Sequence, residues 1–473
     1  MKVLVLEAST TSAKAMLYDS SNGKYKVRTK AYANIRNDVT KHDAEYVYWT
    51  VCEVSKVLTE NEQVDIIALS GTWHSIFLAD KHLQAKTPVL LWSNTEAKRI
   101  AKEYRKNIEY LTDYYHKTGC MTNAIYPYFK LLYFKQQGYE LQDYYILGQG
   151  DLITYKLTSK LVTTACLASG TGLLNIHHKE YCPHLLGSLQ INESNLPSIV
   201  SSYTSYPLTQ AGAKDLGLKT GIPVLPCNSD GGLNQLGSGA LNPGVMTFSL
   251  GTSGAMRLST TMPLIPEKPS TWCYLSPNGW LSGAATNGGC NSIDWFVQSV
   301  ALNKYDYDEL ELAPRKIDAP IFLPFQFGER CPGWDDERTG GFTGILPDTT
   351  IYDLYQAVQE GVLFNLYQCY KVLELLNGTP KHIRFSGGIL NSNKWSQMCA
   401  DILQQDLEVS INEHSSLLGG VILAINLLNE DSKQITSQLT DPVRIIRPNL
   451  SYRDFYLARF NKYLESYNLI INN

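Results

Sequence analysis

Four short stretches of this sequence carry residue types that do phosphate and hydroxyl chemistry. Ser9-Thr10-Thr11-Ser12 follows the apolar run from Val3 to Leu6, Gly251-Thr252-Ser253-Gly254 follows the run from Val245 to Leu250, and Ser386-Gly387-Gly388 follows the run from His382 to Phe385. A turn of Gly, Ser and Thr exposes successive backbone N–H groups and short hydroxyls that can cradle phosphate oxygens. A β-hairpin tip calls for the same small residues, so each turn also has a plain structural reading. The fourth stretch, Asn228-Ser229-Asp230-Gly231-Gly232, sets one carboxylate among small residues where a substrate hydroxyl can reach it. A turn or a helix cap reads the same way. Neither a Walker A motif nor GxGxxG occurs, so the P-loop and dinucleotide folds are not supported.

These residues need a scaffold, and the pattern around them describes one. The first turn lies between the apolar strand Val3–Leu6 and a second strand from Lys14 to Tyr18. Ser20-Ser21-Asn22-Gly23 then turns into a third strand at Lys26–Thr29. The same device recurs half a chain later, where Thr252-Ser253-Gly254-Ala255-Met256-Arg257-Leu258 lines up with Thr11-Ser12-Ala13-Lys14-Ala15-Met16-Leu17. Two domains of one design follow, 1–242 and 243–473, with the junction near Leu241-Asn242-Pro243-Gly244. Matched turns in matched domains point to a nucleotide cleft between them. Elsewhere, Asp65–Ser70 reads as a strand ending at Gly71, Leu354–Leu375 as a helix that tolerates Gly361, and Lys394–Leu403 as a helix. A strand, a Gly-rich turn and a helix around Gly387 again let phosphate or nucleotide approach the backbone.

The chain has 473 residues, 44% hydrophobic and 18% charged, enough for two or three domains with their own cores. Lys and Arg number 41 against 45 Asp and Glu, and the net charge of −4 is not gathered into blocks. That argues against a nucleic-acid or membrane-surface protein. The ten cysteines include no CxxC and no nearby His pair, so zinc and redox motifs are weakly supported. The run at Val3–Leu6 is short for a signal peptide, and no stretch reaches the roughly 20 apolar residues of a membrane span. The expectation is a reduced, cytoplasmic protein.

The order of motifs resembles the FGGY carbohydrate kinase family over nearly the whole chain. The resemblance runs through Glu7-Ala8-Ser9-Thr10-Thr11-Ser12, Leu69-Ser70-Gly71-Thr72-Trp73-His74-Ser75 and Asn228-Ser229-Asp230-Gly231-Gly232. It continues through Leu250-Gly251-Thr252-Ser253-Gly254, Phe327-Gly328-Glu329-Arg330-Cys331-Pro332 and Phe385-Ser386-Gly387-Gly388-Ile389-Leu390-Asn391. His74-Ser75, Tyr126-Pro127-Tyr128-Phe129-Lys130-Leu131, Thr286-Asn287-Gly288-Gly289 and Cys331-Pro332-Gly333-Trp334 lean toward the gluconokinase-like branch; xylulokinases share much of the rest. Four positions depart from the family pattern. Glu7 stands where an aspartate is usual, Ser9 where a glycine is usual, and Asn94 with Glu96 where an aspartate and an arginine are usual.

The resemblance implies an α/β fold of two actin-like ATPase (ribonuclease H-like) domains around a central cleft, and an ATP-dependent sugar kinase that uses Mg²⁺. Asp230 becomes the base for the acceptor hydroxyl, and Glu7 and Asp230 lie near the metal, directly or through water. Thr10, Thr11, Ser12, Gly251, Thr252 and Ser253 hold phosphate, with Lys14 as a charge partner. Gly387, Gly388 and Asn391 line the adenosine side, and Trp73, His74, Asn94 and Asn287 meet the sugar. Arg330 reads equally as a site residue or as a structural ion-pair residue. The expected partner is a small sugar or sugar acid, gluconate favoured over D-xylulose, with no nucleic acid, no membrane and room for a homodimer. A degenerate kinase that only binds sugar or nucleotide, and an actin-like ATPase or assembly protein, are the competing classes.

Overall fold

Val3, Leu4 and Val5 are fully buried, so the first strand is covered on both faces rather than one. That strand, β1 (Lys2–Ala8), pairs antiparallel with β2 (Ser12–Asp19), which pairs antiparallel with β3 (Lys24–Ala31). On its other side β1 runs parallel to β4 (Ile66–Gly71); beyond β4 lie β6 (Pro223–Ser229), parallel to it, and the short edge strand β5 (Tyr206–Pro207). The sheet order is β5-β6-β4-β1-β2-β3.

The second sheet repeats this plan. β7 (Val245–Leu250) forms a hairpin with β8 (Gly254–Thr260), and β9 (Trp272–Ser276) forms another with β10 (Gly279–Thr286), which pairs with β8. β11 (His382–Ser386) runs parallel to β7, followed by β12 (Leu407–Val409) and the edge strand β13 (Arg444–Ile446). The order is β9-β10-β8-β7-β11-β12-β13. The computed structural model describes residues 1–33, 38–240, 242–409, 414–428, 435 and 442–471; Leu241 of the expected junction lies outside them.

The register explains why the two turns read alike. Ala8 faces Ala13 across the first turn, and Leu250 faces Gly254 across the second. Residues 13–17 and 254–258 thus occupy equivalent rungs, with the first turn one residue longer.

Helices cover both sheets. The helix expected around Leu354–Leu375 spans Ile351–Asn377, and Gly361 within it packs on the Phe322 carbonyl too closely for a Cβ. One helix crosses between the halves. α1 (Asp230–Gly237) starts at the end of β6, and α2 (Ser415–Leu427) lies against it, with Leu417, Val421 and Ile425 sharing a core with Val3, Val5 and Ala68. A helix that lies between β12 and β13 of the second sheet in sequence therefore seals the back of the first. All ten cysteines are free thiols, and all but Cys290 are buried. Among the described residues no helix is long and apolar enough to cross a membrane.

Candidate active site

The functional segments lie at the C-terminal ends of the parallel strands, where open α/β sheets bind ligands. Register sets the first contacts. Glu7 lies opposite Lys14 on β2 and opposite Ser70 on β4, so its carboxylate accepts from Lys14 Nζ (2.8 Å) and Ser70 Oγ (3.0 Å) while only 1% exposed. The turn after it is closed by Ser9, whose hydroxyl donates to the Ser12 carbonyl (2.7 Å). Ser9 keeps an ordinary negative φ, so this turn makes no conformational demand for glycine. Thr10 accepts from Trp92 Nε1 (3.1 Å), and Thr11 is exposed.

Asp230 opens α1. Ser229 caps the helix by accepting from Gly232 N (2.9 Å), and Asp230 Oδ1 accepts from Gly231 N (2.7 Å). The helix-cap reading of this stretch belongs to Ser229, which frees the Asp230 carboxylate for the cleft. Burial and then the nearby Glu7 charge push the Asp230 carboxyl up to about 6, against the pull of Gly231 N–H and Arg257. A carboxylate held there is a base near its working pH.

Trp73 and His74 follow the end of β4, and the Trp73 backbone reaches this carboxylate. A Cβ on Gly231 would overlap the Trp73 ring, so the glycine after Asp230 is what lets the indole lie over the start of α1. Trp73 Nε1 donates to the Cys166 carbonyl (2.9 Å), and its ring packs on Tyr274 from β9 (5.0 Å between centroids), which stacks on Trp272 (4.4 Å). His74 sits at φ 66°, a conformation rare for a side-chain-bearing residue and typical of functional positions. Its Nδ1 contacts the Gly170 carbonyl at 2.5 Å, and burial pushes its pKa down to about 3. The ring is therefore neutral, with Nδ1–H donating and Nε2 left as an acceptor.

The second turn is more open. Cys290 N donates to the Gly251 carbonyl (2.7 Å), and Thr252 and Ser253 are exposed. Gly387 has φ 108°, and a Cβ there would overlap the Leu250 carbonyl, so this crossing needs glycine. Gly388 and Asn391 follow on an exposed 3-10 turn. Because Ser249 pairs with Ser386, the Gly251 and Gly387 turns stand side by side.

Two expected sugar contacts are committed elsewhere. Asn94 Nδ2 donates to Thr40 Oγ1 (3.2 Å) and Glu96 Oε2 (3.1 Å), and its Oδ1 accepts from Glu96 N (3.2 Å). Glu96, standing where the family pattern has arginine, pairs with Lys41 Nζ (2.8 Å). Asn287 Nδ2 donates to the Phe327 carbonyl (2.9 Å) and so holds the loop leading to Arg330.

Two residues beside the site carried no assigned role in the sequence reading. Lys130 is fully buried and donates to the carbonyls of His74 (3.0 Å), Leu91 (2.6 Å) and Ile125 (3.0 Å), tying the sugar strand to its neighbours; burial holds its pKa well below the usual lysine range. Its signal was a lysine inside the apolar run Tyr126–Leu131. Arg257 lies on β8 between the core residues Met256 and Leu258, and its signal was a cation in an alternating strand.

Among the described residues no group of three or more His, Cys, Asp and Glu side chains is placed to hold a metal ion. Glu7 and Asp230 form a two-carboxylate pair close enough for one charge to raise the other's pKa. Mg²⁺ accompanying a nucleotide needs only one or two carboxylates besides phosphate oxygens and water, so this donor set fits it.

Known proteins resemble this chain in sequence and in fold. The profile of the FGGY family of carbohydrate kinases, N-terminal domain, matches residues 2–237, and that of the C-terminal domain matches residues 246–427. Gluconokinase of Bacillus subtilis (strain 168) is 25% identical over 449 residues, covering 89% of this chain and 87% of that protein. The crystal structure of gluconate kinase from Lactobacillus acidophilus superposes with a TM-score of 0.92 at 28% identity, covering 99% of this chain and 98% of that one. Ligand-bound xylulose kinase from the same organism superposes with a TM-score of 0.91, also at 28% identity and with the same coverage.

Proposed function

The chain belongs to the FGGY family of carbohydrate kinases, and from that premise we propose that it transfers the γ-phosphoryl of ATP to a hydroxyl of a sugar acid, gluconate favoured. The observation that carries this reading is the Asp230 carboxylate, raised to about 6 by burial and the Glu7 charge and set at the start of α1 where the Trp73 ring packs. In the proposed reaction Asp230 takes the proton of the acceptor hydroxyl as its oxygen attacks the γ-phosphorus. The β–γ bridging oxygen leaves with ADP. His74 Nε2 accepts from a second sugar hydroxyl and fixes the acceptor, while Trp73 keeps water from the start of α1. Thr10, Thr11, Ser12, Gly251, Thr252 and Ser253 hold the phosphates, and Gly387, Gly388 and Asn391 take the adenosine. Lys14 shares its ammonium between Glu7 and a phosphate oxygen. Glu7 and Asp230 would hold Mg²⁺, directly or through water, and the ion would neutralise charge on the phosphates. Asn94 and Asn287 act by holding the loops beside the sugar. We place the domain junction at 242/243 and the site of action in the cytoplasm, which the free thiols and use of ATP support.

Gluconate is favoured by the similarity to gluconokinases. D-xylulose is the second reading, favoured by a xylulose kinase at the same identity. An ADP-release screen over gluconate, D-xylulose, ribulose and glycerol tests both. Release with gluconate is expected; a response confined to the ketopentoses moves the acceptor to the second reading. Silence across the panel would mean a degenerate binding protein.

A further inference from the structure

Among the described residues, five cationic side chains lie in or behind the walls of the cleft, and three are committed. Lys14 is paired with Glu7, Lys130 is spent on three carbonyls, and Arg105 donates to the Thr122 and Trp334 carbonyls. The other two are Arg257 and Arg330. Neither guanidinium has a hydrogen-bond or ion-pair partner among the described residues, and Arg257 Nε is completely enclosed. A buried donor without an acceptor is costly, and two uncommitted cations near one another are costlier still. Such a pair makes sense where an anion completes it.

Strand register directs Arg257 into the cleft. Met256 and Leu258 are fully buried in the second domain's core, so Arg257 shares the opposite face with Ala255 and Ser259. That face lies against α1, the helix that Asp230 opens. Gln235 Nε2 donates to the Arg257 carbonyl (3.2 Å) and to Ser259 Oγ (3.0 Å), and Thr247 Oγ1 donates to Gln235 Oε1 (2.7 Å). Across β10 its partner is Gly283, where the absence of a Cβ admits the Trp272 ring. Arg257 therefore emerges beside the Trp272–Tyr274 stack.

Arg330 arrives from the other side on a clamped loop. Cys331 N donates to the Ala285 carbonyl (3.0 Å), two residues from Gly283. Glu329 accepts from Gly333 N (3.0 Å) and Tyr467 Oη (2.7 Å) and pairs with Arg338 (2.8 Å). The backbone of Arg330 is fixed while its side chain is uncommitted. Its charge acts on His74, Tyr126, Tyr274 and Arg257, which places it beside the aromatic wall of the acceptor pocket. Arg257 forms no ion pair with Asp230 and lies three residues past Gly254, roughly 10 Å along the strand from the phosphate turn.

We propose that Arg257 and Arg330 form the carboxylate-binding end of the acceptor pocket. The acceptor is then an open-chain sugar acid whose carboxylate lies on the two guanidinium groups and whose reacting hydroxyl lies at Asp230. Guanidinium groups suit this task because their planar donors match a carboxylate, and charge-assisted bonds in a water-poor site discriminate strongly against a neutral analogue. The assignment rests on the sugar-acid reading above and adds the residues that select it.

The test compares sodium D-gluconate with D-glucitol, the same carbon chain with a neutral alcohol in place of the carboxylate. Calorimetric affinities and ADP-release kinetics are measured for the full chain and for Arg257→Gln, Arg330→Gln and Arg257→Lys, with thermal unfolding as the folding check. Each Gln variant is expected to lower the gluconate-to-glucitol affinity ratio by tenfold or more, with KM for gluconate rising more than kcat falls. Arg257→Lys should restore part of the ratio. Arg330→Gln alters a side chain outside the core, so it carries the test if Arg257→Gln unfolds. Loss of kcat at unchanged gluconate affinity would overturn the proposal and assign the pair to the transferred phosphoryl. An equal fall for both ligands would also overturn it, as would an unchanged ratio in a protein that phosphorylates gluconate, and either result leaves the kinase reading intact. A full chain that phosphorylates D-xylulose and binds no gluconate would remove the sugar-acid reading itself.

Discussion

The turns at Ser9–Ser12 and Gly251–Ser253 stand at the same place in two sheets of the same design, and the rungs beneath them differ in charge. Under the first, Glu7 faces Lys14 on one side and Ser70 on the other. Under the second, Ser249 faces Ala255 and Ser386. The first rung is a half-buried ion pair next to the raised carboxylate of Asp230; the second is neutral and leads into the exposed Thr252 and Ser253. On the proposed function, one scaffold serves two tasks. Where a proton and a divalent cation would be handled, the rung carries charge; where phosphate would only be cradled, backbone N–H groups and hydroxyls would suffice.

Removing the charge of Asp230 should have the largest effect. Asp230→Asn is expected to lower kcat by about 10²–10⁴-fold, the range for a lost general base, with a far smaller change in ATP affinity. Stability should move the other way. The folded pKa lies above the unfolded value, so the folded state binds more protons and ionised Asp230 costs stability as pH rises from about 4 to about 6. Asp230→Asn removes that cost and should stabilise the fold at pH 7 by up to about 3 kcal/mol. Urea unfolding checks this; an Asn variant that is inactive and also unstable would mean that the carboxylate is structural.

Breaking the charged rung comes next. Glu7→Gln keeps the shape but weakens the bonds from Lys14 and Ser70, and should cost about 1–2 kcal/mol, reduced because the Lys14 side chain is 30% exposed. Turnover should fall at least tenfold, and more Mg²⁺ should be needed for half-maximal rate. The double change Glu7→Ser with Lys14→Ala copies the neutral rung of the second domain. It should recover stability without recovering turnover. Recovery of both would erase the distinction between the two rungs.

A subtler effect concerns pH. In the unaltered chain kcat/KM should fall about tenfold per unit below about pH 6 as Asp230 is protonated. Since the Glu7 charge helps to raise that pKa, Glu7→Gln should carry the acid limb to lower pH even as the rate drops. A limb that stays in place would mean that burial alone sets it.

Much of this comparison was legible in the sequence because it depends on local pattern. Small polar turns after apolar runs marked both hairpins, and the alignment of Lys14 with Ala255 is the one the ladders adopt. Asp230 and His74 came from family resemblance rather than from spacing. What could not be read was the destination of polar side chains whose partners are distant in sequence. Asn94 is spent on Thr40, and Asn287 on Phe327. Lys130 gathers carbonyls from three separate segments, and the direction of Arg257 depends on which face of β8 the second core claims. Residue type and spacing carry none of that.

The smallest effect belongs to the neutral turn. Thr252→Val removes one exposed hydroxyl and keeps the side-chain shape, so stability should stay within about 0.5 kcal/mol. If that hydroxyl holds a phosphate oxygen, its loss is worth one solvent-exposed hydrogen bond of about 1 kcal/mol, about a 3–10-fold rise in KM for ATP with kcat nearly kept. Backbone N–H groups remain to hold the phosphate, which is why the penalty stops there. Initial rates against ATP at saturating acceptor give the split. A fall in kcat as large as that of Glu7→Gln would place chemistry on the second turn as well, and the division of labour between the two rungs would fail.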